Sequence, residues 1–381
     1  KTKEIWIYGL DDDDTFVVNG NGNDLIKVKI IGGQNNDVYN IINGSKVKVY
    51  DQKSKKNNFL TKNGSVKLTD NYETNVYNYK KLPSTLNIIN PAIWFNPDDG
   101  IKLGVSNIYT VNKFERNPFS SQHILTANYY FATNGFELDY SSEFANIFGN
   151  WNLGIEASFN SPNFAINYFG LGNSSLNPEA DKEDSNLDFN RVKIKQLTAG
   201  TSLHWKGDLG AKIKIGVNYQ NYKVENTAGR FINTAFTEND ATFNNQNFLN
   251  TEASYHFKNT DNAAFTTNGM ETELKVGYTA NLQNDNTFGY IIPSIAFDQK
   301  LSESSKLVFA TKLHSRFTLG DGYKFYQAAS IGGNKYGLRG YRNQRFTGKN
   351  SFYHTSDIRL LLSTIKTSLV PLNIGIYGGF D

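Results

Sequence analysis

At 381 residues the chain can hold more than one domain, or one large β-barrel with a small appendage. Its 39 basic and 36 acidic residues leave a formal charge of +3, which argues against a nucleic-acid surface. The absence of cysteine excludes a disulfide, a thiolate metal site and a cysteine nucleophile, and no run of 18 apolar residues is present to form a membrane-spanning helix.

Residues 1–90 read as a small β-rich connector of short polar strands broken by Asn, Asp and Gly. The stretch Gly32–Asn40 departs at one position, Asn35 for Gly, from the calcium-binding nonapeptide G-G-x-G-x-D-x-U-x. Looser versions surround Asp24 and the run Asp11–Asp14. Calcium takes several oxygens from carboxylates and turn carbonyls, so Asp12, Asp14, Asp24 and Asp37 are candidate calcium ligands. Ordinary β-turns use the same residues, and the spacing between Asp14, Asp24 and Asp37 is not a strict nine. Both readings stand at this point.

From residue 91 the texture changes to long period-2 alternation, the mark of a strand with two unlike faces. Trp151, Leu153, Ile155, Ala157 and Phe159 alternate with Asn152, Gly154, Glu156 and Ser158. Met270, Thr272, Leu274, Val276 and Tyr278 alternate with Glu271, Glu273, Lys275 and Gly277. A soluble sandwich shows the same alternation. Three features favour a membrane barrel: segments of about 10–14 residues, longer than most soluble strands; short turns such as Ala132–Gly135 alternating with long polar loops near 174–191 and 226–246; and aromatics at strand ends, such as Phe144, Phe148 and Trp151. Aromatics make up 14% of the chain, enough to supply the interfacial girdles of such a barrel. Counting from Ala92 gives about 12 or 13 strands, the last at Leu372–Phe380.

The final fifty residues carry the most specific signal. A glycine-rich stretch contains Leu338-Arg339-Gly340-Tyr341, and two strands with acidic residues follow, at Asp357 and at Gly378-Gly379-Phe380-Asp381. These motifs resemble the outer-membrane assembly factor superfamily, the BamA-type bacterial surface antigen barrels. The resemblance implies an all-β fold: a transmembrane antiparallel β-barrel of the 16-stranded assembly factor type over 91–381, C-terminally incomplete in this chain. It implies that Arg339 folds into the lumen and binds Asp381, with Asp357 as a second acidic partner. The family usually has one residue between the Phe and the Asp, whereas Phe380 directly precedes Asp381. The run Asn96-Pro97-Asp98-Asp99-Gly100, which precedes an alternating strand, is similar to the barrel entry in related Bacteroidota proteins.

Catalytic signatures are sparse. His123, His204, His256, His314 and His354 are scattered, and no H-E-x-x-H, G-x-S-x-G or P-loop occurs, so no enzyme activity is expected within the segment. The stretch Ile5–Phe16 resembles the connector of Bacteroidota proteins in which a calcineurin-like metallophosphoesterase precedes such a barrel. The chain is accordingly read as a piece of a longer outer-membrane protein. Its expected partners are lipid, lipopolysaccharide and a covalently linked enzyme domain, and its expected role is anchoring or export of that domain. A translocase or insertase is the first alternative, although residues 1–90 lack the βααββ texture of POTRA domains. A passive porin or adhesin is the second.

Overall fold

β-Branched and aromatic residues in short runs, punctuated by Gly, Asp and Asn, produce the first five strands. These are β1 (Glu4–Tyr8), β2 (Thr15–Val18), β3 (Lys27–Ile31), β4 (Val38–Asp51) and β5 (Asn58–Leu68). In this computed structural model, residues 2–20, 26–96, 98–175, 186, 188–207, 209–263, 265–333, 337–366 and 372–381 are described. Two units divide the chain: Lys1–Thr85 with Val111–Ser120, and Leu86–Thr110 with Ser121–Asp381. Residues 86–90 thus fall with the second unit, because the strand that contains them runs unbroken from Ser84 to Asn96.

The strands of the first unit pair in parallel. Glu4 faces Lys27 and Thr15 faces Val38, so each partner lies 23 residues further along the chain. The later part of β4 pairs β3, and β5 follows both parts of β4. The result is a coil of stacked rungs. A column of rings fills it: Phe16 stacks on Tyr39 at 5.3 Å between centroids, and Tyr39 on Phe59 at 4.9 Å. Ile30, Ile41, Val47 and Val49 are buried beside them. A short helix, α1 (Tyr72–Asn75), is capped by the Asn71 side chain. In the Val111–Ser120 segment, Phe114 is buried against Ile31 and Tyr50. Glu115 accepts hydrogen bonds from Tyr50 at 2.6 Å, from Lys48 at 3.0 Å and from Lys67.

The second unit is built from long alternating strands: β6 (Ser84–Asn96), β7 (Gly100–Asn112), β8 (Ser121–Tyr130), β9 (Gly135–Phe148), β10 (Trp151–Asn160), β11 (Ala165–Asn167), β12 (Arg191–Lys206) and β13 (Ala211–Val224). After the helix α2 (Phe231–Ala235) come β14 (Gln246–Thr260), β15 (Gly269–Asn281), β16 (Thr287–Lys300), β17 (Leu307–Leu319), β18 (Ala329–Ile331), β19 (Phe346–Gly348), β20 (Ser351–Ile365) and β21 (Leu372–Phe380). Fourteen of them form one antiparallel sheet; thirteen follow one another from β6 to β21 as a meander, and β11 adds to β12. β18 and β19 make a separate two-stranded ladder inside the β17–β20 connection.

The distribution of polarity across this sheet is inverted relative to a soluble protein. Apolar side chains lie on the open face: Leu274 is 45% exposed, Val276 46% and Tyr278 51%. The opposite face carries charge, and the charges pair along a strand and across strands. Lys275 meets Glu273 at 3.0 Å, Lys258 meets Glu271 at 3.0 Å, and Arg359 meets Asp298 at 3.1 Å. Asn134, in the tight turn between β8 and β9, takes a left-handed φ of 53°, a conformation that Asn tolerates well. Residues 226–246 are not simply a polar loop. They contain α2, and Phe231, Phe236 and Phe243 pack with Tyr168, Val192, Ile194, Val224 and Ile232. Much of the other long loop, residues 176–185 and 187, lies outside the described residues.

Candidate functional site

The loop between β18 and β19 is held at its base by the pairing of Ile331 with Phe346. Gly332, Gly333 and Gly337 all have positive φ, so the chain can reverse within a few residues. Gly333 N–H bonds Leu338 O at 2.7 Å, and Tyr341 N–H bonds the same carbonyl at 3.2 Å. Gly337 lies so close to the Tyr353 ring on β20 that a β-carbon there would overlap it. These contacts place Leu338, Arg339, Gly340 and Tyr341 against the last two strands.

Arg339 is engaged at every edge of its guanidinium. Its Nε donates to Asp381 Oδ1 and Oδ2 at 2.9 and 3.0 Å, and Nη2 donates to Oδ1 at 2.5 Å. Its backbone N–H adds a bond to Asp381 Oδ2 at 2.7 Å, while Nη1 reaches Asp357 Oδ1 at 2.8 Å. A fork matched to one carboxylate and shared with a second fixes position as well as charge. The glycine directly before Phe380 has a role in this arrangement. Gly379 pairs with Asp357 across β20 and β21, and a β-carbon at 379 would overlap Asp357 Oδ1.

Two further arginines, at intervals of three, fasten the same loop elsewhere. Arg342 Nε donates to Asp98 Oδ1 at 2.8 Å, and Nη2 lies 2.7 Å from that oxygen. Asn167 on β11 supports the pair, donating to Asp98 Oδ2 at 2.7 Å and to the Asn343 carbonyl at 2.9 Å. Arg345 donates to Ser175 Oγ at 2.9 Å and to its carbonyl at 2.6 Å, with its guanidinium over the Phe169 ring at 4.8 Å. Asp98 lies in the β6–β7 turn, beside Asp99, which pairs with Arg191. The loop therefore contacts both the first hairpin of the meander and the last. Sequence reasoning missed Arg342, Arg345 and Asn167. The Arg339–Arg342–Arg345 spacing and the paired carboxylates of Asp98 and Asp99 were the signals available.

Among the four calcium candidates, Asp14 and Asp37 are stacked on adjacent turns, and Asp14 N–H donates to Asp37 Oδ1 at 2.8 Å. Asp12 is exposed with φ 68°, and Asp24 lies outside the described residues. Among the described residues, no group of three or more His, Asp or Glu is arranged to hold a metal ion. Burial pushes the Asp37 carboxyl up to about 6, with the neighbouring Asp51 and Asp14 carboxylates adding to the effect. Glu115 moves the other way. Burial alone would raise it, but its bonds from Lys67, Tyr50 and Lys48 prevail and hold it down to about 2.

This meander, with an arginine loop fastened to its polar face, has the fold of a BamA-type transmembrane β-barrel. The crystal structure of BamA from Haemophilus ducreyi lacking POTRA domains 1-3 superposes with a TM-score of 0.51 at 16% identity, covering 75% of this chain and 54% of that one. CdiB from Acinetobacter baumannii gives a TM-score of 0.41 at 11% identity, covering 81% and 56%. The chain thus spans about half the length of the solved structures it matches. No family model and no curated protein matches the sequence.

Proposed function

We propose that the chain is a non-catalytic outer-membrane module whose barrel anchors a linked, phosphoesterase-like domain at the bacterial surface and takes part in its export. The observation that carries this reading is the inverted sheet. Its open face presents Leu274, Val276 and Tyr278, while its charged side chains pair with one another on the other face. Such a face is stable in hydrocarbon and poorly suited to water. Lipid and lipopolysaccharide are then the immediate surroundings. The linked enzyme domain rests on the resemblance of Ile5–Phe16 to the connector that follows a metallophosphoesterase. A passive porin accounts less well for the loop, since a pore has no need of an arginine loop tied to its wall.

The second reading, a protein translocase or insertase, is favoured by the Arg339 loop, which resembles the assembly factor motif. The first unit counts against it. Among the described residues of Lys1–Thr85, the one helix is the four-residue α1, and the strands form a parallel coil in place of a βααββ unit. Depleting the full-length parent in its host, followed by quantitative proteomics of the outer membrane, separates the two. Anchoring predicts that other barrel proteins stay level while the linked domain leaves the envelope. A broad fall in unrelated barrels would establish the insertase instead.

A further inference from the structure

The apolar face of the large sheet changes character at one end of β12 and β13. On β12 the exposed Thr201, Ala199 and Leu197 are followed, at the same two-residue period, by Lys195 and Lys193. On β13 the exposed Ile215, Val217 and Tyr219 are followed by Asn221 and Lys223. The alternate residues Val192, Ile194, Tyr222 and Val224 turn the other way, into the cluster that contains Phe231 and Phe325. Lys195 and Lys223 stand directly opposite each other in the ladder. Like charges so placed destabilise a sheet. Among the described residues, Lys195 makes no ion pair, and Lys193 Nζ donates to Asn163 Oδ1 at 3.5 Å. Lys223 Nζ comes no closer than 4.0 Å to Glu225 Oε1. Three lysines against one glutamate leave a surplus of positive charge on this patch.

The position of the patch selects its counter-ion. The long connections 168–190, 225–245 and 320–350 all leave the strands at this end, and no connection at the other end is longer than 113–120 or 261–268. Long loops mark the outer side of an outer-membrane barrel. The apolar band on β12 runs from Trp205, which pairs with Trp151, to Leu197. Lys195 is the next outward residue past the end of that band, at the depth of the lipid head groups, with Tyr219 on the same rim. Lysine stems lie along apolar surface while their ammonium groups reach a polar layer. Further down the same face, β12 to β15 carry a shallow apolar depression of about 630 Å³, lined in part by Leu203, Ile215, Val217, Ala253, Val276 and Tyr278. A free anion would use the lysines alone. A phosphate that carries acyl chains uses both features.

We propose that Lys193, Lys195 and Lys223 bind the phosphate of an outer-leaflet phosphoglycolipid whose acyl chains lie against the depression below. The inference rests on the outer-membrane reading and gives it a specific head group. The phosphate offsets the surplus charge and relieves the repulsion across the ladder. The Lys195–Lys223 pair, a cost in a neutral bilayer, thereby becomes a favourable contact in an anionic one.

The test uses the full-length protein in phosphatidylcholine nanodiscs that contain either a diphosphorylated glucosamine-disaccharide glycolipid or its dephosphorylated counterpart. Native mass spectrometry of the released protein reads the ratio of glycolipid-bound to free protein. Wild type should retain the phosphorylated form in preference to the other. Joint replacement Lys195→Ala and Lys223→Ala should weaken that retention by roughly thirtyfold, from the attraction of two surface lysines to anionic lipid. Lys212→Ala, the same charge change on the polar face of β13, should leave it unchanged. Thermal unfolding supplies a second measurement: Lys195→Ala alone should be at least as stable as wild type in the neutral nanodiscs and less stable in the phosphorylated ones. Equal retention of the two glycolipids by wild type, or undiminished retention by the double variant, would overturn the proposal. So would full displacement of the glycolipid by inorganic phosphate, since the site would then bind the ion without its chains. Co-elution with the nanodisc is scored separately. Protein that inserts without a phosphate preference contradicts this site alone, whereas protein that does not insert contradicts the membrane reading as well.

Discussion

Arg339 shows why an arginine, and not simply a positive charge, occupies the tip of the glycine-rich loop. Three of its nitrogens and its own backbone N–H are directed at two carboxylates on adjacent strands. Lysine has no fork with which to reproduce this. The guanidinium is 31% exposed and the Asp381 side chain 12%, so water screens part of the interaction. Arg339→Ala should cost about 1.5–3 kcal/mol at most, the range for hydrogen bonds to charged groups, and should speed proteolytic cleavage of the long loops in the folded barrel. Arg339→Lys should recover little of this. A double-mutant cycle with Asp381→Asn should give a coupling of about 0.5–3 kcal/mol; independent effects of the two substitutions would mean that the contact does not hold the loop. The motif Leu338–Tyr341 and both acidic partners were legible in the sequence because they lie close together near its end. Arg342 and Asp98 were not, since 244 residues separate them and only the folding of the meander brings its first turn to the loop.

At the level of elements, the two units differ in how openly their sequences declare them. The long strands announce themselves by period-2 alternation, so their number and the last strand, Leu372–Phe380, could be read directly. The coil could not. Its repeat relates Gly9 to Gly32, Asp14 to Asp37 and Phe16 to Tyr39 at 23 residues, but the third turn brings Asn57 under Asp37 after only 20. Asp24, part way between, suggested a shorter period that the paired strands do not follow. Parallel pairing also leaves no local hairpin signature, unlike the tight turns of the meander. The coil's stability should depend on pH through Glu115, which is held down by Lys67, Tyr50 and Lys48. A carboxyl with a depressed folded value contributes stability above its unfolded value of 4.5 and loses it as pH falls toward about 2. Glu115→Gln should therefore remove the acid-side loss in a melting series from pH 5 to pH 2.5. An unchanged acid limb would show that Glu115 does not carry it.

For the molecule as a whole, the decisive property is which face of the large sheet meets water. Fold alone does not answer this, because an alternating sheet satisfies a soluble sandwich equally well. The distribution of side chains does: apolar residues are open, while charged pairs such as Lys206–Glu143 and Arg359–Asp298 are partly buried. The absence of cysteine from these 381 residues makes the question directly accessible, because an introduced thiol is the single one in this stretch and its labelling can be located there by peptide mapping. On β14, Ala253 belongs to the apolar face and Ser254 to the polar one, and on β13 Val217 and Asn218 form a second such pair. Each of the four positions is replaced singly by cysteine in the full-length protein, and its rate of reaction with a charged, water-soluble maleimide is measured in native outer membranes. The barrel account predicts that Ser254→Cys and Asn218→Cys react while Ala253→Cys and Val217→Cys resist the reagent and are quenched only from the lipid phase. Equal, rapid labelling of neighbours on the two faces would contradict it.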